Sequence, residues 1–234
     1  MAANAPYFVV PGFIPGSHQV IDHVFFDDMV GFGDIGAAGW VVTEDDAADT
    51  QVFSDAQHGV LTLTQKATTD NDGAQVTWAA ESFKLTSGKQ LYFETRIRCP
   101  AGSPNQLDFF VGLAEAEDLT GVADNMPANG IGFRKDDGDA LIDACSSDNG
   151  TNLETTSVGT LVDNTWIKLA FHFDGGATGS GVLRLYVDGL EAGKIESVTY
   201  ATMSEMAPIF MIRNGDATTT QVLDIDYVTV VAQR

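Results

Sequence analysis

Two aspartates near the end of the chain, Asp224 and Asp226, have the spacing of a catalytic carboxylate pair. Residues two apart on a strand project from the same face, roughly 6.5–7 Å from each other. Inverting glycosidases hold their acid and base about 6.5–9.5 Å apart, so glycoside hydrolysis is compatible with this pair. The alternative, which we favour, is cross-strand pairing worth roughly 0.2–1 kcal/mol per pair. Its candidate partners are Arg96, Arg98, Lys168 and Arg184.

The glycines of residues 31–36, GFGDIG, match the G-x-G-x-x-G dinucleotide fingerprint. That motif works only where a strand enters a helix whose N-terminus faces the pyrophosphate. Here the fingerprint is followed by Gly39 and the β-branched pair Val41 and Val42, with no long helix or βαβ unit. The sequence therefore predicts loop glycines. It also contains no G-x-S-x-G, H-E-x-x-H or phosphate-loop motif.

Charge and cysteine content narrow the range of partners. With 33 acidic and 12 basic residues, the formal net charge is −21, which repels nucleic acids and anionic membranes. No run of about 18 apolar residues occurs and no secretory leader is recognisable, so we expect no membrane insertion and no secretion.

Cys99 and Cys145 are too few for a disulfide framework or a zinc cluster. Each ends a predicted strand, which predicts buried thiols.

Hydrophobic residues alternate with polar ones along most of the chain, at the period of two that is typical of β-strands. No apolar pattern at helical spacing persists for three turns. We therefore predict an all-β fold of two antiparallel sheets packed as a sandwich, forming a single domain over residues 21–234. The residues predicted to share inward faces are Leu91, Phe93, Ile97, Leu107, Phe109, Val111, Leu113, Ile167, Leu169, Phe171, Phe173, Leu183, Leu185, Val187, Leu223, Ile225 and Tyr227.

Within "GVLRLYVDGLEAGKI", residues 181–195, an Asp-Gly pair separates two alternating segments. Type I′ turns need positive φ at both central positions, and Asp-Gly is one of the pairs that best tolerates this. The stretch therefore predicts a β-hairpin with Asp188 and Gly189 at its tip, and its composition has a structural cause that requires no catalytic one.

Residues 1–20 are predicted to form an extended N-terminal arm. Pro6, Pro11 and Pro15 oppose regular structure there. The arm is nevertheless apolar, so we expect it to lie as a strand along the body of the protein or to dock on a partner. The apolar side chains that would make this contact are Tyr7, Phe8, Val9, Val10, Phe13 and Ile14.

The pattern "WIKLAFHFDG…GVLRLYVDGLEAGKI" and the closing segment "VLDIDYVTVVAQR" resemble the concanavalin A-like lectin/glucanase superfamily in its laminin-G-like branch. The likeness covers roughly residues 80–232 and implies a jelly-roll sandwich. Laminarinase-type relatives carry three acids in an E-x-D-x-E type of pattern on a central strand. Val222 and Val228 take the flanking places here, which argues against a hydrolase.

The resemblance also implies ligands. Laminin-G-like and legume-lectin relatives often hold calcium in loops, and no other cofactor is expected. The candidate calcium ligands in "KDDGDALID" are Asp136, Asp137, Asp139 and Asp143. For a lectin-like protein, the candidate glycan-binding face contains Trp166, His172 and Tyr186.

The segments "YFETRIR", "DFFVGLAEAED" and "NGIGFRKDDGDALI" are also similar to structural proteins of tailed bacteriophages. This likeness implies a non-enzymatic capsid decoration (cement) protein on the capsid exterior, bound to the major capsid protein as a homotrimer. The alternative function is a carbohydrate-binding module for host attachment, and a glycoside hydrolase is a third possibility.

Overall fold

The fold is given by a computed structural model that describes residues 21–30, 35–47, 49–54, 59–66, 70–120, 126–177, 179–216 and 218–233. Over these ranges the chain forms two antiparallel sheets packed face to face, so the predicted all-β sandwich of jelly-roll type is confirmed. The predicted arm, including all six of its apolar contact residues, lies outside the described residues.

One sheet has eight strands. Its order is β13-β12-β11-β6-β15-β4-β3, and β1 pairs with β15 at the end that β4 leaves open. These strands are β1 (Ile21–Asp27), β3 (Thr50–Ser54), β4 (Val60–Gln65), β6 (Gln90–Arg98), β11 (Ile167–Gly175), β12 (Ser180–Val187), β13 (Leu190–Thr199) and β15 (Gln221–Gln233).

The other sheet has seven strands, in the order β10-β9-β8-β7-β14-β5-β2. They are β2 (Trp40–Glu44), β5 (Gly73–Trp78), β7 (Leu107–Ala114), β8 (Gly130–Lys135), β9 (Leu141–Asp148), β10 (Thr151–Thr160) and β14 (Ala207–Asn214). A four-residue 3-10 turn, Ile35–Ala38, precedes β2. No nucleotide-binding helix follows the glycine fingerprint, of which residues 31–34 lie outside the described ranges. Within those ranges no helix could span a membrane.

The core between the sheets is built from the inward faces that the alternation predicted. Phe93 of β6 and Phe171 of β11 stack with ring centroids 5.0 Å apart, and Phe133 of β8 contacts Phe171 from the opposite sheet. All three side chains are completely buried. Cys99 and Cys145 are buried free thiols, as predicted. Burial raises their thiol pKa values to about 11 and about 12, so both remain protonated near neutral pH.

One inward assignment is wrong, and a β-bulge is the reason. The register between β15 and β6 shifts between Ile225 and Tyr227. A bulge adds one residue to its strand and so changes the face on which later residues lie. Tyr227 consequently points outward, and Val228 and Val230 continue the buried face.

The predicted hairpin is confirmed between β12 and β13. Val187 pairs with Leu190 across a two-residue turn, in which Asp188 and Gly189 have φ values of 50° and 80°. The Asp188 carboxylate also accepts a hydrogen bond from the backbone N–H of Lys168 at 2.9 Å. The turn therefore anchors the beginning of β11 as well as reversing the chain.

We expect Phe171→Ala to lower the free energy of unfolding by about 3–5 kcal/mol, because it opens a cavity beneath two packed rings. Urea denaturation measures the change. Leu190→Ala, at a side chain that is 75% exposed, is the control and should stay within about 0.5 kcal/mol of the original chain. Equal effects of the two substitutions would contradict the described core.

Candidate functional site

The three residues of the predicted glycan face all lie on the outer side of the eight-stranded sheet. Tyr186 pairs with Ala170, two residues from His172 along β11, so these two side chains are close neighbours. Trp166 is six residues from His172, which is roughly 20 Å along an extended strand. His172 is only 5% exposed. Trp166 is therefore distant from His172, and little of the His172 side chain is accessible to a ligand.

The candidate catalytic aspartates are held in ion pairs on the same face. Asp224 Oδ2 lies 2.8 Å from Nη2 of Arg98, and Asp226 Oδ2 lies 3.1 Å from Nε of Arg96. Both guanidinium groups also contact the ring of Trp166, at 4.6 and 4.9 Å from its centroid. The predicted cross-strand pairing is therefore confirmed, and Trp166 already has cation–π partners.

Glu94 is the centre of a second network on this face. It accepts hydrogen bonds from Tyr92 Oη at 2.5 Å and Tyr227 Oη at 2.6 Å, and Lys168 Nζ lies 3.6 Å away. Burial, followed by the hydrogen bond to Glu94, raises the pKa of both phenols. Both therefore remain protonated donors, and the polar groups of this face mainly satisfy one another.

The four candidate calcium ligands have separate partners. Asp136 pairs with Arg134 at 2.9 Å, whereas Asp139 and Asp143 accept hydrogen bonds from the backbone N–H groups of Leu141 and Ser157. Asp137 packs against Gly215. Over the described part of the chain, no group of three or more His, Cys, Asp or Glu side chains is arranged to hold a metal ion. Asp136, Asp137 and Asp139 thus share the connection between β8 and β9, and Asp143 lies in β9, but their side chains have different partners.

The outer side of the seven-stranded sheet is covered by the chain itself over parts of β7, β9 and β14. We call residues 115–120 and 126–129 the covering loop. Leu119 and Met126 of this loop form a second apolar cluster with residues of β7, β9 and β14. Every residue of β7 is consequently buried, although its period predicted only one buried face. The sheet residues in this cluster are Phe110, Ala114, Cys145, Ile209 and Met211.

Gln75, which points outward from β5, fixes one end of the covering loop. Its side-chain N–H groups donate to the backbone carbonyl of Glu117 at 2.9 Å and to Thr77 Oγ1 at 3.0 Å. Its carbonyl oxygen accepts from the backbone N–H of Leu119 at 2.8 Å. Gln75 is 3% exposed. This buried amide therefore holds residues 117–119 at a defined position over the sheet.

A cleft of about 260 Å³ remains between this loop and the edge of the sheet. We call it the β2–β5 cleft. Val41 and Thr43 of β2 and Thr77 of β5 line it from the sheet, and Glu117 and Asp118 line it from the loop. Trp78 also contributes to the lining. The lining of the cleft therefore combines apolar side chains with threonine and acidic residues from three segments.

The carboxylate of Glu117 has a perturbed environment. Burial raises its pKa above the ordinary value of 4.5, against the opposing effect of hydrogen bonds from the backbone of Ala128 and Asn129. Asp118 accepts hydrogen bonds from the backbone N–H and side-chain hydroxyl of Thr120. The loop side of the cleft is thus acidic and held in place by its own hydrogen bonds.

A second cleft, of about 350 Å³, lies at the end of β11, β12 and β13. Its two acids, Asp174 and Glu196, are exposed, and Glu196 is paired with Lys194. By contrast, the β2–β5 cleft is lined by the buried polar residues Gln75 and Thr77, and we therefore take it as the candidate site.

A family model decides the relationship of this chain to known proteins. The model of the concanavalin A-like lectin/glucanases superfamily matches residues 107–231, more than half of the chain. The chain belongs to this superfamily. The resemblance inferred from Trp166 to Ile195 is thereby confirmed. No curated protein sequence matches the chain.

Solved structures of the concanavalin A-like superfamily share the fold at low identity. An endo-1,3-β-glucanase from Streptomyces sioyaensis is 16% identical with a TM-score of 0.62, over 94% of this chain and 98% of that one. An endo-β-1,4-glucuronan lyase from Trichoderma reesei is 13% identical, with a TM-score of 0.62 and coverages of 88% and 94%. Lectin II from Ulex europaeus is 14% identical, with a TM-score of 0.59 and coverages of 91% and 99%. Both lectins and enzymes therefore share this architecture.

The residues of the β2–β5 cleft were not found from the sequence. Gln75 and Thr77 alternate with Ala74 and Val76, which predicts only that they face away from the core. Glu117 belongs to the acidic run "EAED", which resembles any solvated loop. Their proximity depends on the covering loop, in which Glu117 is 42 residues from Gln75 in sequence. The sequence signals for this site were a polar strand face and a distant acidic run, and nothing in the sequence indicates that the two come together.

The two ion pairs should contribute unequally to stability. Asp224 is 6% exposed and also accepts a hydrogen bond from Thr62, whereas Asp226 is 13% exposed and its partner Arg96 is 41% exposed. We expect Asp224→Ala to cost about 1–3 kcal/mol and Asp226→Ala less than about 1 kcal/mol. Urea denaturation of the two variants measures this order, and the reverse order would contradict the described burial.

Proposed function

We propose that this protein is a non-catalytic carbohydrate-binding domain that holds one sugar ring of a neutral glycan in the β2–β5 cleft. The observation that carries the proposal is that Thr43, Thr77 and Glu117 line one cleft together with the apolar side chains of Val41 and Trp78. Small-molecule sites typically combine apolar lining with a few placed polar groups in this way.

The polar groups suit a polyhydroxylated ligand. A threonine hydroxyl both donates and accepts hydrogen bonds, and an ionised carboxylate accepts several. Sugar hydroxyls can satisfy both kinds of group at once. Val41 is 51% exposed, so its side chain supplies apolar surface for the C–H face of a ring. The superfamily also includes a lectin solved in complex with galactose, which supports this class of ligand.

The charge of the site favours a neutral sugar over an acidic one. Glu117 and Asp118 lie on the loop side of the cleft, and the chain as a whole has a net charge of −21. Like charges that face each other across an interface cost several kcal/mol and suppress the wrong partner. Uronate-rich or sulfated glycans should therefore bind more weakly than neutral ones.

A binding function agrees better than hydrolysis with the state of the candidate catalytic acids. Each of the two aspartates forms an ion pair with an arginine, at N–O distances of 2.8 Å for Asp224 and 3.1 Å for Asp226. In glycosidases the two carboxyl groups flank the scissile bond, whereas these two carboxylates are engaged by arginine side chains on the surface of the sheet. We therefore assign Asp224 and Asp226 to the stability of the sheet.

A glycan array followed by calorimetry tests the site. We expect Glu117→Gln to weaken binding of the best neutral glycan by about tenfold or more, since it removes a charged acceptor. Thr43→Val should weaken it by roughly two- to tenfold, because one hydrogen bond is lost.

The matched controls lie on the other sheet. Trp166→Ala and Tyr186→Ala should leave the affinity unchanged, because these residues belong to the outer face of the eight-stranded sheet. Loss of binding in these two variants, with full binding in the cleft variants, would transfer the site to the face predicted from the sequence. No glycan bound by the original chain would end the proposal.

Binding should also depend on pH through Glu117. Because its pKa is raised by burial, the carboxylate becomes protonated at a higher pH than an exposed glutamate would. Hydrogen bonds from sugar hydroxyls are stronger to the ionised form, so affinity is full above the raised pKa and falls as the pH decreases through it. Calorimetry between pH 7 and pH 4 measures this effect, which Glu117→Gln should abolish. A flat profile in the original chain would exclude Glu117 as an acceptor.

The expected role as a bacteriophage capsid decoration protein, trimeric on the capsid exterior, stays a prediction. A glycan-binding domain displayed on a particle would serve attachment and would be compatible with that role. Co-purification with particles, followed by localisation on them, is the measurement that bears on it.

A further inference from the structure

Asn-Gly and Asp-Gly pairs are positions at which a polypeptide can modify itself without an enzyme. The backbone nitrogen of the glycine attacks the amide or carboxyl carbon of the preceding side chain, and a cyclic imide (succinimide) forms. Glycine favours this step because it has no Cβ to obstruct the close approach. The described residues include every such pair in the chain, namely Asp72-Gly73, Asn129-Gly130, Asp137-Gly138, Asn149-Gly150, Asp174-Gly175, Asp188-Gly189 and Asn214-Gly215.

All but one of these glycine nitrogens are held by other parts of the fold. The N–H of Gly73 donates to Asp45 Oδ2 at 3.0 Å. Gly130 lies inside the seven-stranded sheet, paired with Ala114 and Ser147. Four others donate to backbone carbonyls at 2.8–2.9 Å: Gly138 to Asn105, Gly150 to Ala128, Gly175 to Lys89 and Gly215 to Gln106. The local structure must open before a nitrogen held in this way can attack.

Gly189 is the exception. It lies between β12 and β13, and its N–H donates no hydrogen bond to any described residue. It is exposed, and no atom lies within 4 Å of the place that a Cβ would take. The preceding carboxylate, of Asp188, accepts the N–H of Lys168 at 2.9 Å. A donor there stabilises the negative charge that develops on the carboxyl oxygen when the carbon beside it is attacked.

We propose that Asp188-Gly189 is the Asp-Gly pair at which the folded chain forms isoaspartate. In the first step the Gly189 nitrogen bonds to Cγ of the protonated Asp188 carboxyl and gives up its proton, and the hydroxyl group leaves as water. In the second step water adds to either carbonyl carbon of the succinimide, and the bond from that carbon to nitrogen breaks. The products are aspartate and isoaspartate. Water is the only other reactant.

Isoaspartate changes the hairpin that this turn closes. The main chain then runs through Cβ and Cγ of residue 188, so it is longer by one methylene, and the free carboxylate is attached directly to Cα. The shortened carboxylate loses its reach to the N–H of Lys168. The modification therefore loosens both the tip of the β12–β13 hairpin and its attachment to the beginning of β11.

Ageing of the protein in water enriched in the heavy oxygen isotope tests the site, because hydrolysis of the succinimide inserts one oxygen atom from water. After incubation at mildly acidic pH, the protein is digested, and its peptides are separated by chromatography and identified by mass spectrometry. The peptide with Asp188 should gain the isotope and an isoaspartate isomer at least about fivefold faster than those with the other Asp-Gly pairs, since one hydrogen bond is worth roughly two- to tenfold.

The same experiment in urea, which releases the glycine nitrogens, is the control. There the Asp-Gly pairs should react at similar rates. Similar rates in the folded protein would overturn the proposal, and so would the absence of isoaspartate at Asp188.

Asp188→Asn gives a matched comparison between two hairpin tips. It places an Asn-Gly pair in a turn whose φ values in the original chain, 50° and 80°, are close to the 52° and 74° of the Asn149-Gly150 turn. Both tips are exposed, but the N–H of Gly150 is held by Ala128. The substituted position should deamidate at least about fivefold faster than Asn149 in the folded protein, and at a similar rate in urea. Equal rates in the folded protein would overturn the role of the available Gly189 nitrogen.

Discussion

The structure depends on the burial of one face of every central strand against the opposite sheet. Phe93 and Phe171 on one sheet and Phe133 on the other form the middle of that contact. Each fully buried aromatic side chain contributes roughly 1.5–3 kcal/mol of transfer free energy, and antiparallel pairing satisfies the backbone groups around it. The outer faces of both sheets can therefore carry polar and functional groups at little risk to the fold.

The outer faces of the two sheets carry different arrangements of polar groups. On the eight-stranded sheet, Glu94, Asp224 and Asp226 engage neighbouring phenols and guanidinium groups, so the surface is a network of mutual contacts. On the seven-stranded sheet, the amide of Gln75 fixes the covering loop, and a cleft lies between this loop and the edge of the sheet. In a chain with a net charge of −21, this cleft is lined by the acidic residues Glu117 and Asp118.

The sequence was informative where a local pattern determines the structure. Alternation identified the inward faces of β6 and β11, and Asp188-Gly189 identified a turn through its backbone preference alone. Tyr227 was assigned to the wrong face because a bulge changes the phase of a strand and has no strong local signal. The burial of Phe110 and the position of Glu117 depend on the covering loop. Periodicity shows which residues share a face, but it cannot show that a distant loop covers the second face.

The position of β15 has a consequence for how the chain is made. Residues 221–233 lie in the middle of the eight-stranded sheet, between β6 on one side and β4 and β1 on the other. That sheet cannot close until those residues have left the ribosome. Until then β6 and β4 expose unpaired edges, which are templates for association with other nascent chains. The eight-stranded sheet is therefore completed only after residues 221–233 have been synthesised, and the cell must keep the growing polypeptide apart from its copies until β15 enters the gap.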